Sequence, residues 1–391
     1  MEITKDIIYV GVNDHDVDLF EGHYIVPEGM AYNSYLINDE KVAVMDSVDG
    51  HFTEQWLGNI KAVLGDRKPD YLIVQHMEPD HSGSIRGFME AFPQAYVVSS
   101  QKAFNMMKNF YEGEDFADRR VVVGEGVVLD LGAHKLNFVA APMVHWPEVV
   151  MTYDSTDKVL FSADGFGKFG ALDVCGETGA DDDDWACEAR RYYFGIVGKY
   201  GIQVQAVLKK LAQLDIKAIL PLHGPALTEN LDYYLDLYNK WSTYTPETSG
   251  VAIAYTSVYG HTAEAAKKLA EMLEKKGIKT EILDLVRDDP AEAVENAFRY
   301  DRSVFATTTY NMDIFPPMRT FIEALKERGF KNRKVAFIEN GSWAPNATKI
   351  MKSLLEDCKD LEYFENNVKI ESSLNELSYK SLCDLAEELS R

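Results

Sequence analysis

The sequence predicts an α/β protein of two domains, an αββα sandwich over residues 1–248 and a doubly wound parallel sheet over residues 249–391. Two observations predict the first domain: its opening segments alternate apolar and polar residues, and strand-like runs then interleave with helical ones. A third observation predicts the second domain, because strand and helix patterns alternate regularly after the linker WSTYTPETSG. A length of 391 residues is ample for two domains.

The opening strands belong to residues 3–49, where short runs are broken by Gly, Pro and Asn. These runs read ITKDIIYVGV, MAYNSYLIND and KVAVMDSVD, and their alternation is typical of antiparallel strands. Later strand-like runs, AYVVSS and VVVGEGVVLDLGAHKLNFVAAPMVH, flank the helical run QKAFNMMKNF. Strands with helices laid outside them favour the sandwich.

Composition excludes several function classes. The chain is 46% hydrophobic and 26% charged, as in an ordinary globular protein. No apolar run reaches about 18 residues, so no membrane span is predicted. The N-terminus lacks a signal-peptide pattern, and we expect a cytoplasmic protein. A net charge of −23 argues against a nucleic-acid partner.

Cysteines and the acidic run contribute little chemistry. The four cysteines, at positions 175, 187, 358 and 383, form no C-x-x-C pair, which disfavours zinc knuckles, iron–sulfur clusters and a disulfide framework. The run Asp181–Asp184 is predicted to be a solvated loop rather than a metal site.

The segment Tyr71–Ser84, YLIVQHMEPDHSGS, is the richest in metal-competent side chains. Its apolar start, Tyr71–Val74, predicts a buried strand, and Pro79 prevents that strand from continuing. Ser82–Ser84 offers cap chemistry for the following helix, IRGFMEAF. A solvated loop with two surface histidines is the alternative to a metal loop. The candidate ligands are His76 and Glu78, which can converge on one ion, and Asp80 and His81, which can turn toward a second.

Three further candidates each follow an apolar, strand-like run: His145, Asp164 and His223. A single histidine in this position is commonly a hydrogen-bonded core residue. Several such strand ends together are different, because functional groups gather at one rim when strands share a direction. We therefore join these residues to the Tyr71–Ser84 segment as one site. The histidines left as non-ligands are His15, His23, His51, His134 and His261.

The pattern H-x-[EH]-x-D-H, with a later His, Asp and His, resembles the metallo-β-lactamase-like fold. Hydrolases of that fold usually carry His at the third position, whereas this chain carries Glu78, as do the flavodiiron proteins, also called rubredoxin:oxygen oxidoreductases. The resemblance covers nearly the whole chain. It implies one iron on His76, Glu78 and His145, and a second on Asp80, His81 and His223, with Asp164 bridging. A carboxylate in place of an imidazole makes the site harder, which favours iron over zinc.

The second domain begins with VAIAYTSVYGHTAEAAKKLAEMLEKKG, a strand, a small-residue loop and an amphipathic helix. Hydroxyls of Thr256, Ser257 and Thr262, with N–H groups near Gly260, have the form of a phosphate cradle at a helix start. A plain strand–turn–helix joint is the alternative. Neither a dinucleotide-type glycine fingerprint nor G-x-x-x-x-G-K-[ST] is present, which makes NAD and ATP weaker candidates.

Two more strand-end loops, TTTYNMDIFPP and ENGSWAPN, carry the flat rings Tyr310 and Trp343. This half resembles flavodoxin, which implies bound FMN. Many relatives have a Gly-Trp pair where this chain has Gly341-Ser342-Trp343, so both aromatic residues stay candidates for stacking on the flavin. The predicted FMN-binding residues are Thr256, Ser257, Val258, Tyr259, Gly260, His261, Thr262, Thr309, Tyr310, Asn311, Asn340, Gly341, Ser342 and Trp343.

The resemblance implies an oxidoreductase that reduces dioxygen to water, nitric oxide to nitrous oxide, or both. Two ferrous ions and reduced FMN together hold four electrons, which suffices for dioxygen. No paired C-x-x-C motifs follow the second domain, so we expect a separate electron donor, rubredoxin-like or other. Candidates to orient ligands and supply protons, by resemblance, are His23, Tyr24, Tyr192 and Tyr193.

Two alternative functions stay open at this point: a metal-dependent hydrolase with an accessory flavodoxin-like domain, and a non-catalytic flavin electron carrier. The resemblance also implies a head-to-tail homodimer, which could pair further into a dimer of dimers. In that arrangement the flavin of one chain faces the irons of the other, since the short linker near Tyr244–Gly250 separates two sites on different domains.

Overall fold

The computed structural model describes residues 2–175 and 182–391, apart from the side chains of residues 175 and 182–184. The chain divides into two compact units, residues 1–239 and 240–391, so the division comes earlier than the predicted boundary at 248/249. The linker segment belongs with the second unit because the Arg333 guanidinium donates to the Tyr244 carbonyl at 2.7 Å and Lys331 lies over the Tyr244 ring. The change in composition in the linker marks a turn of the chain. It does not mark the boundary between the two packed units, which comes before it.

The first unit contains fifteen strands and eight α-helices among the described residues, besides four short 3-10 or π turns. The strands are β1 (Ile7–Tyr9), β2 (Val12–Asp14), β3 (Leu19–Phe20), β4 (Tyr24–Ile25), β5 (Met30–Tyr32), β6 (Tyr35–Asn38), β7 (Val42–Met45), β8 (Tyr71–Ile73), β9 (Tyr96–Ser100), β10 (Arg120–Val123), β11 (Val128–Asp130), β12 (Lys135–Ala140), β13 (Val150–Asp154), β14 (Val159–Phe161) and β15 (Ala218–Leu220). The helices are α1 (Thr53–Leu64), α2 (Pro79–Ser82), α3 (Ile85–Ala91), α4 (Gln101–Phe110), α5 (Leu172–Cys175), α6 (Asp182–Tyr192), α7 (Gly201–Leu211) and α8 (Leu231–Thr243), whose last turn extends beyond residue 239.

Two large sheets form the first unit, in the orders β1-β6-β7-β8-β9-β10 and β11-β12-β13-β14-β15, and β2-β5 and β3-β4 form two small two-stranded sheets. The predicted antiparallel pairing near the N-terminus is present between β1, β6 and β7, whereas β7 to β10 run parallel. The sheets share one core, in which Met45 and Ile73 from the first pack with Phe138 and Phe161 from the second. Helices such as α1, which buries Trp56, complete the predicted αββα sandwich.

The acidic run 181–184 differs in part from its prediction. Residue 181 lies outside the described residues, and so do the side chains of the other three. Their backbone begins helix α6, so these three residues are helical and not a loop.

The second unit contains seven strands and five further helices in its described residues. The strands are β16 (Thr248–Tyr255), β17 (Thr280–Asp284), β18 (Tyr300–Tyr310), β19 (Asp313–Ile314), β20 (Arg333–Asn340), β21 (Leu361–Tyr363) and β22 (Val368–Ile370). The helices are α9 (His261–Lys275), α10 (Pro290–Arg299), α11 (Pro316–Glu327), α12 (Ala347–Leu354) and α13 (Glu376–Leu389).

The predicted doubly wound parallel sheet is confirmed in this unit. Its order is β17-β16-β18-β20-β21, with β22 also parallel to β20 and β19 antiparallel to β18. This is the flavodoxin-like order, in which ligands bind beyond the carboxyl ends of the strands where the order reverses. The reversal lies at β16, so loop 256–260 and the loop after β18 flank the expected crevice.

Candidate functional site

The loop after β8 and the short helix α2 hold four of the predicted ligands. Pro79 opens α2 at its first position, where a missing N–H breaks no helical hydrogen bond. The Glu78 carbonyl accepts hydrogen bonds from the N–H groups of His81 and Ser82, at 2.9 and 2.8 Å. Asp80 and His81 therefore lie in a helical turn and not in the predicted loop, because Pro79 begins a helix as well as ending the strand.

Gly83 lets this helical turn approach a neighbouring loop closely. A Cβ at this position would lie 2.5 Å from Gly50 N and 2.7 Å from the Pro79 carbonyl oxygen. The predicted cap is present only in part: Ser84 occupies the N-cap position of α3, but its side chain makes no capping bond. Its hydroxyl donates instead to the Asp49 carbonyl at 3.1 Å.

The first group of candidate ligands consists of His76, Glu78, His145 and Asp164, each of which places one donor atom within 4.8 Å of the others. Glu78 Oε2 lies 3.2 Å from His76 Nε2 and 3.0 Å from His145 Nε2. Asp164 Oδ2 likewise lies 3.2 Å from His76 Nε2 and 3.0 Å from His145 Nε2. The two imidazoles and two carboxylates thus point at one small volume.

The second group consists of Asp80, His81 and His223, all buried. Asp80 Oδ2 lies 3.3 Å from Nε2 of both histidines, and those two nitrogens are 2.9 Å apart. The structure therefore brings together all seven predicted ligands, in the two groups that the family resemblance implies.

Asp164 lies between the two groups. Its Oδ2 faces the first group, while its Oδ1 lies 3.8 Å from His81 Nε2 and 3.7 Å from His223 Nε2. The side chain is buried, and neither oxygen has a hydrogen-bond partner. One carboxylate that presents an oxygen to each side has the geometry of a bridging ligand.

The charges of the site act on one another strongly. Burial opposes ionisation of Glu78 and Asp164. Hydrogen bonds from His145 and His76 nevertheless lower the pKa of Glu78, and the charges of His76, His145 and His223 lower that of Asp164, both far below their usual range. Burial also opposes the charge on His76, yet Asp164, Glu148 and Glu78 raise its pKa well above its usual value. The pKa of His145 rises to about 9 for the same kind of reason, while burial lowers that of His81 to about 4.

The donor set fits two metal ions. Each group supplies two imidazoles and one carboxylate of its own, with Asp164 shared, and two histidines with one carboxylate form a common non-haem iron site. Both oxygens of Asp80 and of Asp164 are buried without hydrogen-bond partners. Buried carboxylates without partners are unfavourable unless a cation or proton neutralises them, so these atoms suit ligation.

The outer ring nitrogens of His76 and His223 have partners that sequence reasoning missed. His76 Nδ1 lies 2.8 Å from Glu148 Oε1, and His223 Nδ1 lies 2.8 Å from the Ala31 carbonyl oxygen. Glu148 stands three residues after His145, in a spacing that carries no signal for contact with His76. Such contacts orient metal-binding histidines and fix their tautomers.

Glu21 was also missed by the sequence reasoning. It lies in the turn between β3 and β4, with φ at +51°, and its carboxyl group reaches Glu78. The residue as a whole is exposed, but its carboxyl group is partly buried. This burial and repulsion from Glu78 raise the pKa of Glu21 to about 7. No pattern in the sequence distinguishes Glu21 from an ordinary turn residue.

The four residues predicted to orient ligands and supply protons lie in different surroundings. Tyr192 is fully buried with its ring 5.5 Å from that of His223, and burial together with the Asp164 and Glu78 charges raises its pKa. Tyr24 donates to the Gly195 carbonyl at 2.9 Å. The remaining two candidates are exposed His23, beside the Tyr24 ring, and buried Tyr193, beside the Tyr238 ring.

The histidines predicted not to be ligands lie outside both groups. His134 forms a third cluster with Asp154 and Asp157, but this cluster is held by its own hydrogen bonds. Asp154 Oδ2 accepts from His134 Nδ1 at 2.9 Å and from the Asp157 N–H at 3.0 Å. His15 and His51 pair with the carboxylates of Asp173 and Asp49, respectively.

The second unit has a pocket of about 320 Å³ at the carboxyl edge of its sheet. Eight of the predicted FMN-binding residues line it: Ser257, Val258, Tyr259, His261, Thr262, Asn340, Gly341 and Ser342. Thr308 and Ser372 line it as well and were not predicted. Ser372 is held by Asn340, whose side-chain amide donates to the Ser372 carbonyl at 3.1 Å.

The other six predicted FMN residues do not line this pocket. Thr256 is buried, with its hydroxyl 2.6 Å from the Thr307 hydroxyl, and the Gly260 N–H donates to the Ser257 hydroxyl at 3.0 Å. The Thr309 hydroxyl accepts from the Asn346 N–H at 2.9 Å. Tyr310, Asn311 and Trp343 stand at the exposed rim, where Trp343 is 72% exposed.

Comparison with known proteins gives matches in both units. Residues 30–224 match the family described as ODP family beta lactamase, and residues 252–372 match a flavodoxin domain. The nitric oxide reductase of Moorella thermoacetica is 29% identical over 360 residues, which span 91% of this chain and 90% of that protein. No helix in the described parts of the chain is both long and apolar enough to cross a membrane.

Solved structures match along the whole chain. The flavodiiron protein of Giardia intestinalis superposes with a TM-score of 0.89 at 26% identity, covering 99% of this chain and 96% of that one. The rubredoxin oxygen:oxidoreductase of Desulfovibrio gigas shares the fold with a TM-score of 0.91 at 24% identity, covering 100% and 98%. With two matched domains in the same order and the metal-ligand pattern in place, the chain belongs to the flavodiiron protein family.

Proposed function

We propose that this chain reduces dioxygen to water, nitric oxide to nitrous oxide, or both, at two non-haem irons that receive electrons through FMN. The observation that carries the proposal is the position of Asp164, which presents one oxygen to each of two groups of two histidines and one carboxylate. The relative from Moorella thermoacetica is named a nitric oxide reductase, and that from Desulfovibrio gigas an oxygen oxidoreductase. Both substrates therefore stay in the proposal.

In this proposal, His76, Glu78 and His145 would hold one iron and Asp80, His81 and His223 the other, with Asp164 shared between them. Bound there, iron would supply the redox chemistry for reducing the gas, which takes four electrons and four protons for dioxygen, or two of each for two nitric oxide molecules. Ligation requires neutral imidazoles. The pKa of His81, lowered to about 4 by burial, keeps that side chain neutral, whereas His76 and His145 must release protons when a cation enters.

The protein's own part is to hold the donors rigidly and to keep the site dry. Glu148 and the Ala31 carbonyl fix the rings of His76 and His223. The buried Tyr192 ring packs against His223, and its hydroxyl is a candidate proton donor. Glu21, whose pKa of about 7 permits either protonation state near neutrality, stands beside Glu78 at the exposed side.

FMN is proposed to lie in the pocket of the second unit. Ser257, in the loop before α9, and Thr262, in its first turn, are proposed to hold its phosphate, because the N-terminal end of a helix favours an anion. Tyr310 and Trp343, exposed at the rim, stay the candidates to flank the flavin ring. Among the other predicted residues, Thr256 and Thr309 support the loops through hydrogen bonds.

The two alternative functions are not favoured. A hydrolase of the metallo-β-lactamase fold does not explain why a strongly ionised carboxylate, Glu78, faces His76 and His145. An electron carrier does not explain two groups of buried donors with unsatisfied oxygens.

The electron donor is proposed to be a separate carrier, rubredoxin-like or other, and the compartment the cytoplasm. Cys358 and Cys383 are free thiols, as in reducing compartments. Neither a membrane nor a nucleic acid is proposed as a partner.

The working unit is proposed to be a head-to-tail homodimer, which could pair further, so that FMN of one subunit serves the irons of the other. The test mixes a Glu78→Ala/His145→Ala variant with a Ser257→Ala/Thr262→Ala variant. A mixed dimer recovers activity through its one intact pair of sites. Subunit exchange without recovery would overturn this arrangement and leave transfer within one chain.

The proposed function is tested by analysis of the purified protein and by single turnover. We expect one FMN and two irons per chain, and anaerobic mixing of the reduced protein with each gas separately identifies the substrate that oxidises it. Zinc without iron, and no flavin released on denaturation, would overturn the proposal.

A further inference from the structure

The histidines of the metal centre differ in what their outer nitrogens contact. His76 Nδ1 lies 2.8 Å from a carboxylate oxygen of Glu148, whereas His223 Nδ1 donates to a neutral backbone carbonyl, that of Ala31, at 2.8 Å. His81 Nδ1 is buried with no hydrogen-bond partner. The two groups of ligands are therefore supported unequally.

Glu148 is fixed from several directions. Its side chain is fully buried, and the oxygen that faces His76 also accepts the Met77 N–H at 2.9 Å. Its carbonyl accepts the Ser100 hydroxyl at 2.9 Å. One carboxylate oxygen therefore holds both the ring of His76 and the backbone of the next residue, which leaves the ring little freedom to turn.

This contact has a chemical consequence for the metal-facing nitrogen. A neutral imidazole carries one N–H, and an acceptor at Nδ1 places that N–H on Nδ1. The lone pair of Nε2 then points at the oxygens of Glu78 and Asp164, each 3.2 Å away. A carboxylate partner also raises the basicity of the imidazole as a ligand and adds a negative charge behind this group alone.

We propose that Glu148 is a positioning residue that fixes the His76 tautomer and makes the metal held by His76, Glu78 and His145 the more easily oxidised of the two. This inference rests on the proposed function, since it takes iron as the metal. The more electron-rich group stabilises ferric iron, and the group of His81 and His223, without an anionic partner behind it, keeps the higher midpoint potential.

The test compares Glu148→Gln and Glu148→Ala with a matched control, Asp154→Asn. Glutamine keeps the size and the acceptor oxygen of Glu148 and removes its charge. Asp154 is also a buried carboxylate bonded to a histidine Nδ1, that of His134 at 2.9 Å. Asp154 is the last residue of β13, and the first, Val150, comes two positions after Glu148. The strand therefore places Asp154 roughly 13 Å from Val150.

The full-length protein is loaded with iron anaerobically, and two quantities are measured: iron per chain with its dissociation constants, and the iron midpoint potentials from a redox titration followed by electron paramagnetic resonance. Glu148→Gln is expected to keep two irons and to raise the lower midpoint potential, by about 59 mV for each tenfold loss of ferric over ferrous preference. Glu148→Ala is expected to weaken one iron site about 10- to 100-fold. Asp154→Asn is expected to change neither quantity.

Unchanged midpoint potentials in Glu148→Gln would overturn the proposal even if Glu148→Ala fails to fold. An equal shift in Asp154→Asn would overturn it too, because the effect would then be general. Either result leaves the proposed function standing. A wild-type protein that binds no iron would instead overturn the proposed function and this inference with it.

Discussion

Replacing Glu78 with histidine is the most direct test of why this position carries a carboxylate. The backbone there is extended, with φ −60° and ψ 142°, and precedes a proline, so histidine fits without strain. Glu78 Oε2 faces the nitrogens of His76 and His145, and both contacts keep the carboxylate ionised. The substitution therefore removes one negative charge from the first group of ligands and supplies a third imidazole.

The magnitude follows from the geometry. The donor atoms of this group lie within 4.8 Å of one another, so an ion among them sits roughly 3 Å from the Glu78 charge. At an effective dielectric constant of about 20, one extra charge on the ion is then stabilised by at most about 5.5 kcal/mol. Solvent and the imidazole dipole offset part of this. We expect at least a tenfold loss of ferric over ferrous preference, a rise in midpoint potential of at least about 59 mV.

The assay reconstitutes metal-free wild type, Glu78→His and Glu78→Gln in equal iron and zinc. Both variants are expected to raise the midpoint potential, because both lose the charge. Glu78→His alone is expected to gain zinc relative to iron, because it supplies another nitrogen ligand. A Glu78→His protein that keeps full iron occupancy, an unchanged potential and full turnover would refute this account.

Three further predictions concern packing, pH and flavin. Gly83→Ala should destabilise the first unit by about 1–3 kcal/mol in urea unfolding, because the new Cβ meets backbone atoms. Gly58→Ala in α1, where a Cβ meets nothing, should be neutral or stabilising, and equal effects of the two substitutions would contradict the packing argument. His134, whose pKa is raised to about 8 by its hydrogen bond to a carboxylate, should contribute stability that is complete below pH 6.5 and is lost as pH rises through 8; a urea midpoint with the same pH dependence in His134→Gln would exclude this. Thr262→Val should weaken FMN binding in a fluorescence titration more than Thr256→Val does, since of the two only Thr262 lines the pocket. Equal losses would show that Thr256 serves the flavin as directly.

The sequence predicted those parts of the fold and of the site that depend on hydrophobic periodicity and on which residues follow a strand. The apolar run before His76 became β8, and the strand-end residues His145, Asp164 and His223 met the loop that follows it. This worked because functional groups at the ends of strands that share a direction collect at one rim. The regular βα alternation likewise predicted the parallel sheet of the second unit.

The parts that the sequence reasoning missed depend on contacts between distant residues. Glu148 and His76 are 72 positions apart, and their hydrogen bond has no spacing signal. Ser372 follows the three-residue strand β22, which is too short to show periodicity. Thr256 and Ser257 were both expected at the phosphate, but successive residues at the end of a strand point to opposite faces. Thr256 accordingly turns inward to Thr307 while Ser257 lines the pocket.

The division of the metal centre into two halves can be traced to Pro79. Before it the chain is extended, so His76 and Glu78, two positions apart, direct their side chains to the same side and meet in one group. Proline at the first helical position then starts α2, and the change from an extended to a helical backbone turns Asp80 and His81 toward His223. A sequence without this break would keep alternate side chains on one side and would crowd Asp80 against Glu78. The proline therefore separates four neighbouring donors into two groups, and Asp164 can lie between them only because they are separated.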